Sequence, residues 1–175
     1  MKNKFLLSLV IIIIIFFFVV FYKGLTNNNI YKPSLSINNS LSEFKTSDFF
    51  TGEIISSKNL FSKKDFYLVN IWSSWCLPCK VEHPYLLKFQ NEDKLKLIGV
   101  NYKDQKKNAT VFLKEMNNPF DRIINDKDGT ISINLGAYGV PETFLVKNNK
   151  IIKKVIGPID EDSYSEILNI INEKK

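Results

Sequence analysis

Cys76 and Cys79 are the only cysteines among 175 residues, and they stand in the run Cys76-Leu77-Pro78-Cys79. Two thiols at C-x-x-C spacing can close a small disulfide and open it again, and the attacking species is a thiolate. A chain with no further cysteine does not use disulfides as staples, which favours chemistry over scaffolding for this pair. A structural disulfide and half of a metal site are the bland alternatives. His83 completes a C-x-x-C-x-x-x-H pattern, but a zinc site normally needs four ligands and there is no second cysteine pair. Haem attachment of the c type needs histidine directly after the second cysteine, where this chain has Lys80. The residues before Cys76 lack the proline and threonine with which a thiol peroxidase orients its substrate. No metal and no cofactor is expected.

The elements around the pair decide what the sulfurs can do. Residues 67–72 are apolar nearly throughout, as a central strand buried on both faces should be. Residues 77–91 carry a helical pattern, so Cys76 falls at the start of a helix. Unpaired N–H groups and the helix dipole favour negative charge there, and Lys80 adds a cation. Both should pull the Cys76 pKa well below the value of about 8.5 for a free thiol. Pro78 fits the first turn, where its missing N–H costs no helical bond. Cys79 lies one turn further in and should be shielded, as the sulfur that resolves a mixed disulfide must be.

Glu82 is three residues beyond Cys79 and shares its helical face. Buried, it would have a raised pKa and could take the Cys79 proton; the alternative is a solvated charge. Pro84 should kink the helix by removing a bond to the Lys80 carbonyl. His83 reads as exposed or partly packed. Trp72 reads as core, and Trp75 as a surface residue that shapes the site. Val140-Pro141 follows Gly139 and precedes a buried strand, which suggests a sharp approach to the sheet. From the residues alone a trans bond is the commoner reading.

The remaining chain alternates strand and helix signals, an α/β pattern. Residues 53–60 read as a short strand, 95–100 as a buried strand, 122–125 as a short strand and 130–135 as a short helix. Ala109, Phe112, Leu113 and Met116 follow the amphipathic helical spacing. Residues 143–146 and 151–156 flank Asn148-Asn149, a two-residue hairpin turn. Tyr164, Ile167, Leu168 and Ile171 form a final helical stripe, capped by Asp160 or Asp162.

Residues 5–22 form an uncharged run of 18, long enough to cross the hydrocarbon core. Lys2 and Lys4 precede it and should stay cytoplasmic, which places the rest outside. A cleaved signal peptide is the rival, but residues 22–27 offer no small-x-small site. An uncleaved membrane signal anchor over 1–22 is expected, then a flexible linker over 23–45 outside the cytoplasm and a single domain over 46–175. The net charge is +6, and Lys2, Lys4 and Lys23 supply three of it. With Arg122 as the only arginine, nucleic-acid binding is a poor reading.

Three segments together resemble one family. The run from Trp72 to Pro84 is similar to the active-site stretch of membrane-tethered thioredoxin-like reductases. Residues 99–104 with Asn118-Pro119-Phe120, and residues 136–144, resemble the central insert and cis-proline segment of one branch. That branch is the thiol:disulfide interchange proteins of cytochrome c biogenesis, the CcmG/DsbE type. The resemblance implies a thioredoxin fold, a mixed sheet flanked by helices, with an N-terminal extension and a central insert. It implies a cis Pro141 opposite the dithiol, Val140 offering its backbone to an extended substrate, and Glu82 as the buried acid. Asn70 stands where thioredoxin itself has a buried aspartate. The implied activity is protein-disulfide reduction in the periplasm, on apocytochrome c or a partner in the haem-ligation machinery. Electrons would come from a membrane thiol transporter. A tethered reductase of broader range and a non-enzymatic binding module are the competing readings.

Overall fold

The computed structural model describes residues 2–26, 40–62 and 66–173. It divides into two compact units, Met1–Ser34 and Leu35–Lys175. The first holds helix α1 (Lys2–Thr26), with a span Lys4–Leu25 long and apolar enough to cross a membrane. Of the segment expected as a linker, residues 27–39 lie outside the described residues.

The second unit is built on a five-stranded sheet in the order β5-β4-β3-β6-β7. Strand β3 (Phe66–Trp72) is central, and β4 (Leu95–Tyr102) and β5 (Arg122–Asp126) run parallel to it. On its other side β6 (Glu142–Lys147) and β7 (Lys150–Ile156) continue the sheet antiparallel. The β6–β7 turn is Asn148-Asn149, both at positive φ (51° and 61°), the primed geometry that two asparagines tolerate. Parallel strands need crossovers, and helices α3 (Leu77–Phe89) and α4 (Lys106–Met116) supply them.

Residues of β3 alternate between two cores, as the two-residue period of a strand demands. Phe66, Leu68 and Trp72 pack with Leu86 and Phe89 of α3, Phe112 and Leu113 of α4, and Ile167 and Ile171 of α6 (Glu161–Glu173). Tyr67, Val69 and Ile71 pack on the opposite face with Leu60, Phe61 and Ile131. Asn70 has the parity of the first face, so a polar residue points toward α3, the helix that carries the dithiol. Cys76 and Cys79 belong to that first core.

Two sequence expectations are corrected here. The strand expected over 53–60 is a three-residue strand β2 (Ile54–Ser56), paired with β1 (Lys45–Ser47), followed by one helical turn α2 (Ser57–Leu60). Ser56 stops the strand by accepting the Asn59 N–H at 3.3 Å, an N-cap that competes with the ladder. Residues 40–44, read as part of the linker, are held by the domain. Leu41 is buried, its N–H donates to Asn149 O at 2.9 Å, and the Phe44 N–H donates to Ser57 Oγ at 3.1 Å.

The remaining elements follow the expected pattern, including α5 (Thr130–Asn134). Pro84 stands inside α3, which continues through Phe89. Asp160 caps α6: it accepts the Ser163 N–H at 2.9 Å, and Ser163 Oγ accepts the Asp160 N–H at 2.9 Å.

Candidate active site

Strand β3 ends at Trp72 and helix α3 begins at Leu77. The four residues between them deliver Cys76 to the helix N-cap, in extended conformation at φ −87° and ψ 109°. Its Sγ accepts the Cys79 N–H at 3.1 Å, one of the orphan donors of the first turn. Cys76 and Cys79 are joined as a disulfide, with Cα atoms 5.3 Å apart. Both are buried, Cys79 at 1% exposure and Cys76 at 3%. Their neighbours are not: Trp75 is 59% exposed, Leu77 72% and Val81 63%. The sulfur pair thus only just reaches the surface, while apolar residues close to it in sequence are open to solvent.

Glu82 is fully buried on α3. Its Oε1 accepts from Asn70 Nδ2 at 2.8 Å, and its Oε2 accepts the Ile159 N–H at 2.9 Å. Burial pushes its pKa up to about 7, against the downward pull of those two donors. A carboxyl half-protonated near neutral pH can hold or release a proton. Asn70 gives its second amide hydrogen to Thr143 Oγ1 at 2.9 Å, so β3, α3 and β6 meet at one polar cluster.

Val140-Pro141 is a cis peptide bond. Pro141 is buried, and Val140 is partly buried against the core cluster that holds the dithiol. The segment ahead of it is anchored from β6 and β7. Glu142 Oε1 accepts the N–H groups of Tyr138 (2.7 Å) and Gly139 (3.1 Å). Lys154 Nζ lies 2.7 Å from Glu142 Oε2 and donates to Gly136 O at 2.7 Å. The two side chains are 2% and 9% exposed, so this is a desolvated ion pair.

His83 departs from expectation. It is buried at 2% exposure, with Nε2 2.7 Å from Asn117 O and its ring edge-on to Phe112. Burial holds its pKa below the usual value. It packs between helices α3 and α4. Among the described residues no group of three or more His, Cys, Asp or Glu side chains is placed to hold a metal. Trp72 is core, stacked with Phe112 and Phe120 at 5.3 and 5.6 Å.

Sequence reading missed Thr143, the backbone of Ile159, the Glu142–Lys154 pair and Asp104. The first three are long-range contacts with no local periodic signature. Asp104 did carry one. It stands just past the end of β4, where a short carboxylate commonly binds backbone N–H groups of a turn.

Comparison with known proteins fits this geometry. The Redoxin family model matches residues 36–171. The thiol:disulfide interchange protein DsbE of Vibrio cholerae is 33% identical over 142 residues, covering 81% of this chain and 76% of that one. DsbE of Pseudomonas fluorescens biotype C is 45% identical over 95 residues, and CycY of Rhizobium leguminosarum 43% over 100. The chain spans about half the length of those last two relatives, 53% and 54%. Among solved structures, a DsbE-type protein of Chlorobium tepidum superposes with a TM-score of 0.67 at 22% identity. It covers 79% of this chain and 98% of its own, a likeness of fold. With a family model spanning most of the sequence and a relative matched over three quarters of its length, the chain belongs to the Redoxin family, among the thiol:disulfide interchange proteins of the DsbE type.

Proposed function

We propose that this protein is a membrane-anchored reductase of protein disulfides, acting on the periplasmic side during cytochrome c maturation. The observation that carries the reading is a closable sulfur pair at a helix N-terminus with a buried, near-neutral carboxyl on the same helix. In the reduced protein the Cys76 thiolate attacks one sulfur of a substrate disulfide. A Cys76–substrate disulfide forms and the other substrate sulfur leaves as a thiolate. Cys79 then gives its proton to Glu82 and attacks Cys76 Sγ. The second substrate sulfur leaves, two electrons have passed to the substrate, and Cys76–Cys79 remains as a disulfide. A dithiol on a membrane electron transporter restores the reduced state by the reverse exchange. Trp75, Val140 and Pro141 form the docking surface, with the Val140 backbone pairing to an extended segment around the substrate cysteine. The substrate is apocytochrome c or a haem-ligation partner.

Helix α1, with its apolar span Lys4–Leu25, serves as anchor, the polar stretch after it as tether, and the folded domain carries the exchange. The test is a Cys76→Ser strain lacking any other such reductase, in which c-type cytochromes should fail to mature. Normal maturation there defeats the proposal. Trapping with Cys79→Ala, which stalls the mixed disulfide, should capture few partners. A wide spread of captured proteins assigns a broader reductase instead.

A further inference from the structure

The loop that delivers Cys76 is not held by its own strand and helix alone. The Ser74 N–H donates to Asp104 Oδ2 at 2.6 Å, and Ser74 Oγ donates to Asp104 Oδ1 at 2.8 Å. The same carboxylate accepts from Asn101 Nδ2 at 3.1 Å and from the Gln105 N–H at 2.8 Å, which fix it in turn. On either side, Ser73 Oγ donates to Tyr102 O at 2.6 Å and Trp75 Nε1 donates to Lys103 O at 3.3 Å. Three consecutive residues before the dithiol are thus tied to Tyr102, the last residue of β4, and the two residues that follow it. Lys103 adopts φ 43°, a left-handed conformation that costs free energy in a lysine and bends the chain beneath the loop.

We propose that Asp104 is a positioning residue for thiol–disulfide exchange at Cys76. It sets where the sulfur stands relative to the first-turn amides of α3, and how the exposed Trp75 indole is presented beside it. The inference deepens the reductase reading and rests on it for the meaning of exchange. The physical reason is geometric. Amide dipoles stabilise a thiolate only at hydrogen-bond range, so a loop free to drift loses that stabilisation steeply. A charge-assisted bond from a carboxylate to a backbone N–H is about twice as strong as a neutral one, which makes Asp104 the dominant tie.

The experiment compares Asp104→Ala, Ser74→Ala and Asp121→Ala in the full chain. Asp121 is the control: it accepts the Leu97 N–H at 2.7 Å near the opposite end of the parallel strands. Three quantities are measured: the midpoint of denaturant unfolding, the pH profile of Cys76 alkylation in the reduced protein, and exchange with a disulfide-bonded peptide. Asp104→Ala is expected to raise the apparent Cys76 pKa and to slow exchange about tenfold. Ser74→Ala keeps the backbone bond and should shift both in the same direction by less. Asp121→Ala should lower the midpoint while leaving both unchanged. The proposal is overturned if Asp104→Ala retains the wild-type alkylation profile, or if Asp121→Ala moves it equally. Failure of the reductase reading looks different: the wild-type protein itself would not exchange with the peptide, while the alkylation profile would still report on Asp104.

Discussion

Asn70 on the central strand and Glu82 on the dithiol helix share a 2.8 Å hydrogen bond in which the amide is the donor. That direction matters. The donor steadies a carboxylate that burial alone would keep protonated. Among the described residues Asn70 Oδ1 has no hydrogen-bond partner, so the cluster already lacks one donor. Asn70→Asp would replace two donors by acceptors beside Glu82. One of the two carboxyls must then hold a proton. We expect a loss of roughly 1–3 kcal/mol that grows as pH rises, measured by urea unfolding at pH 5 and pH 8. Equal losses at the two pH values would refute it.

Glu82 itself gives a signed prediction. Its folded pKa of about 7 lies above the ordinary 4.5, so between those values the native state holds more protons than the unfolded chain. Its stabilising contribution is complete below about pH 4.5 and is lost as pH rises through 7. Glu82→Gln removes this dependence. The stability of wild type should fall relative to the variant by on the order of 3 kcal/mol across that window. The slope is the readout, because glutamine also leaves one of the two N–H donors without its acceptor. At pH 7 exchange should slow at least about tenfold, as expected when a proton acceptor is removed. Parallel stability curves would contradict the assignment.

Lys154→Met should leave the Glu142 carboxylate buried without its cation. Breaking one side of a buried pair costs roughly 3–5 kcal/mol. Lys154→Arg should recover part of that. Hydrogen exchange at Tyr138 and Gly139, whose N–H groups bind Glu142, should rise in the methionine variant. Unchanged protection there would show that the pair does not hold the segment.

Gly99→Ala tests the packing around Trp72. A Cβ at this position would lie 2.8 Å from Trp72 Nε1 and 2.9 Å from Phe120 Cγ. Both are stacked core rings and neither is a flexible side-chain tip. Overpacking of this kind costs about 1–3 kcal/mol, and thermal unfolding should show it. A melting temperature equal to wild type would mean the aromatic stack can yield.

The dithiol, its helix and the alternation of strands were legible because each has a local signature. Cys76-Leu77-Pro78-Cys79 marks its own turn, and the apolar run ahead of it marks a doubly covered strand. Glu82 could be placed on the right face by its spacing from Cys79, but its burial depends on Asn70 and Ile159, remote in sequence. For a related reason His83 has no local signature of its burial. Helical spacing puts it near the seam with α4, but only the packing of Phe112 and the Asn117 carbonyl makes that seam deep enough to bury an imidazole. Residues 53–60 read as one strand because β-branched residues favour it, and the serine cap that ends the strand at Ser56 has no periodic trace.

The bond from the Ile159 amide to Glu82 ties the acid to the junction that leads into the last helix. A shortened protein that stops before this residue would keep both sulfurs but lose the last helix, whose Ile167 and Ile171 fill the core beside them. It would also lose one of the two donors that lower the pKa of the hidden carboxyl, which would then hold its proton to higher pH. The tail of the chain is thus part of how the thiols are tuned, although it holds no reacting atom.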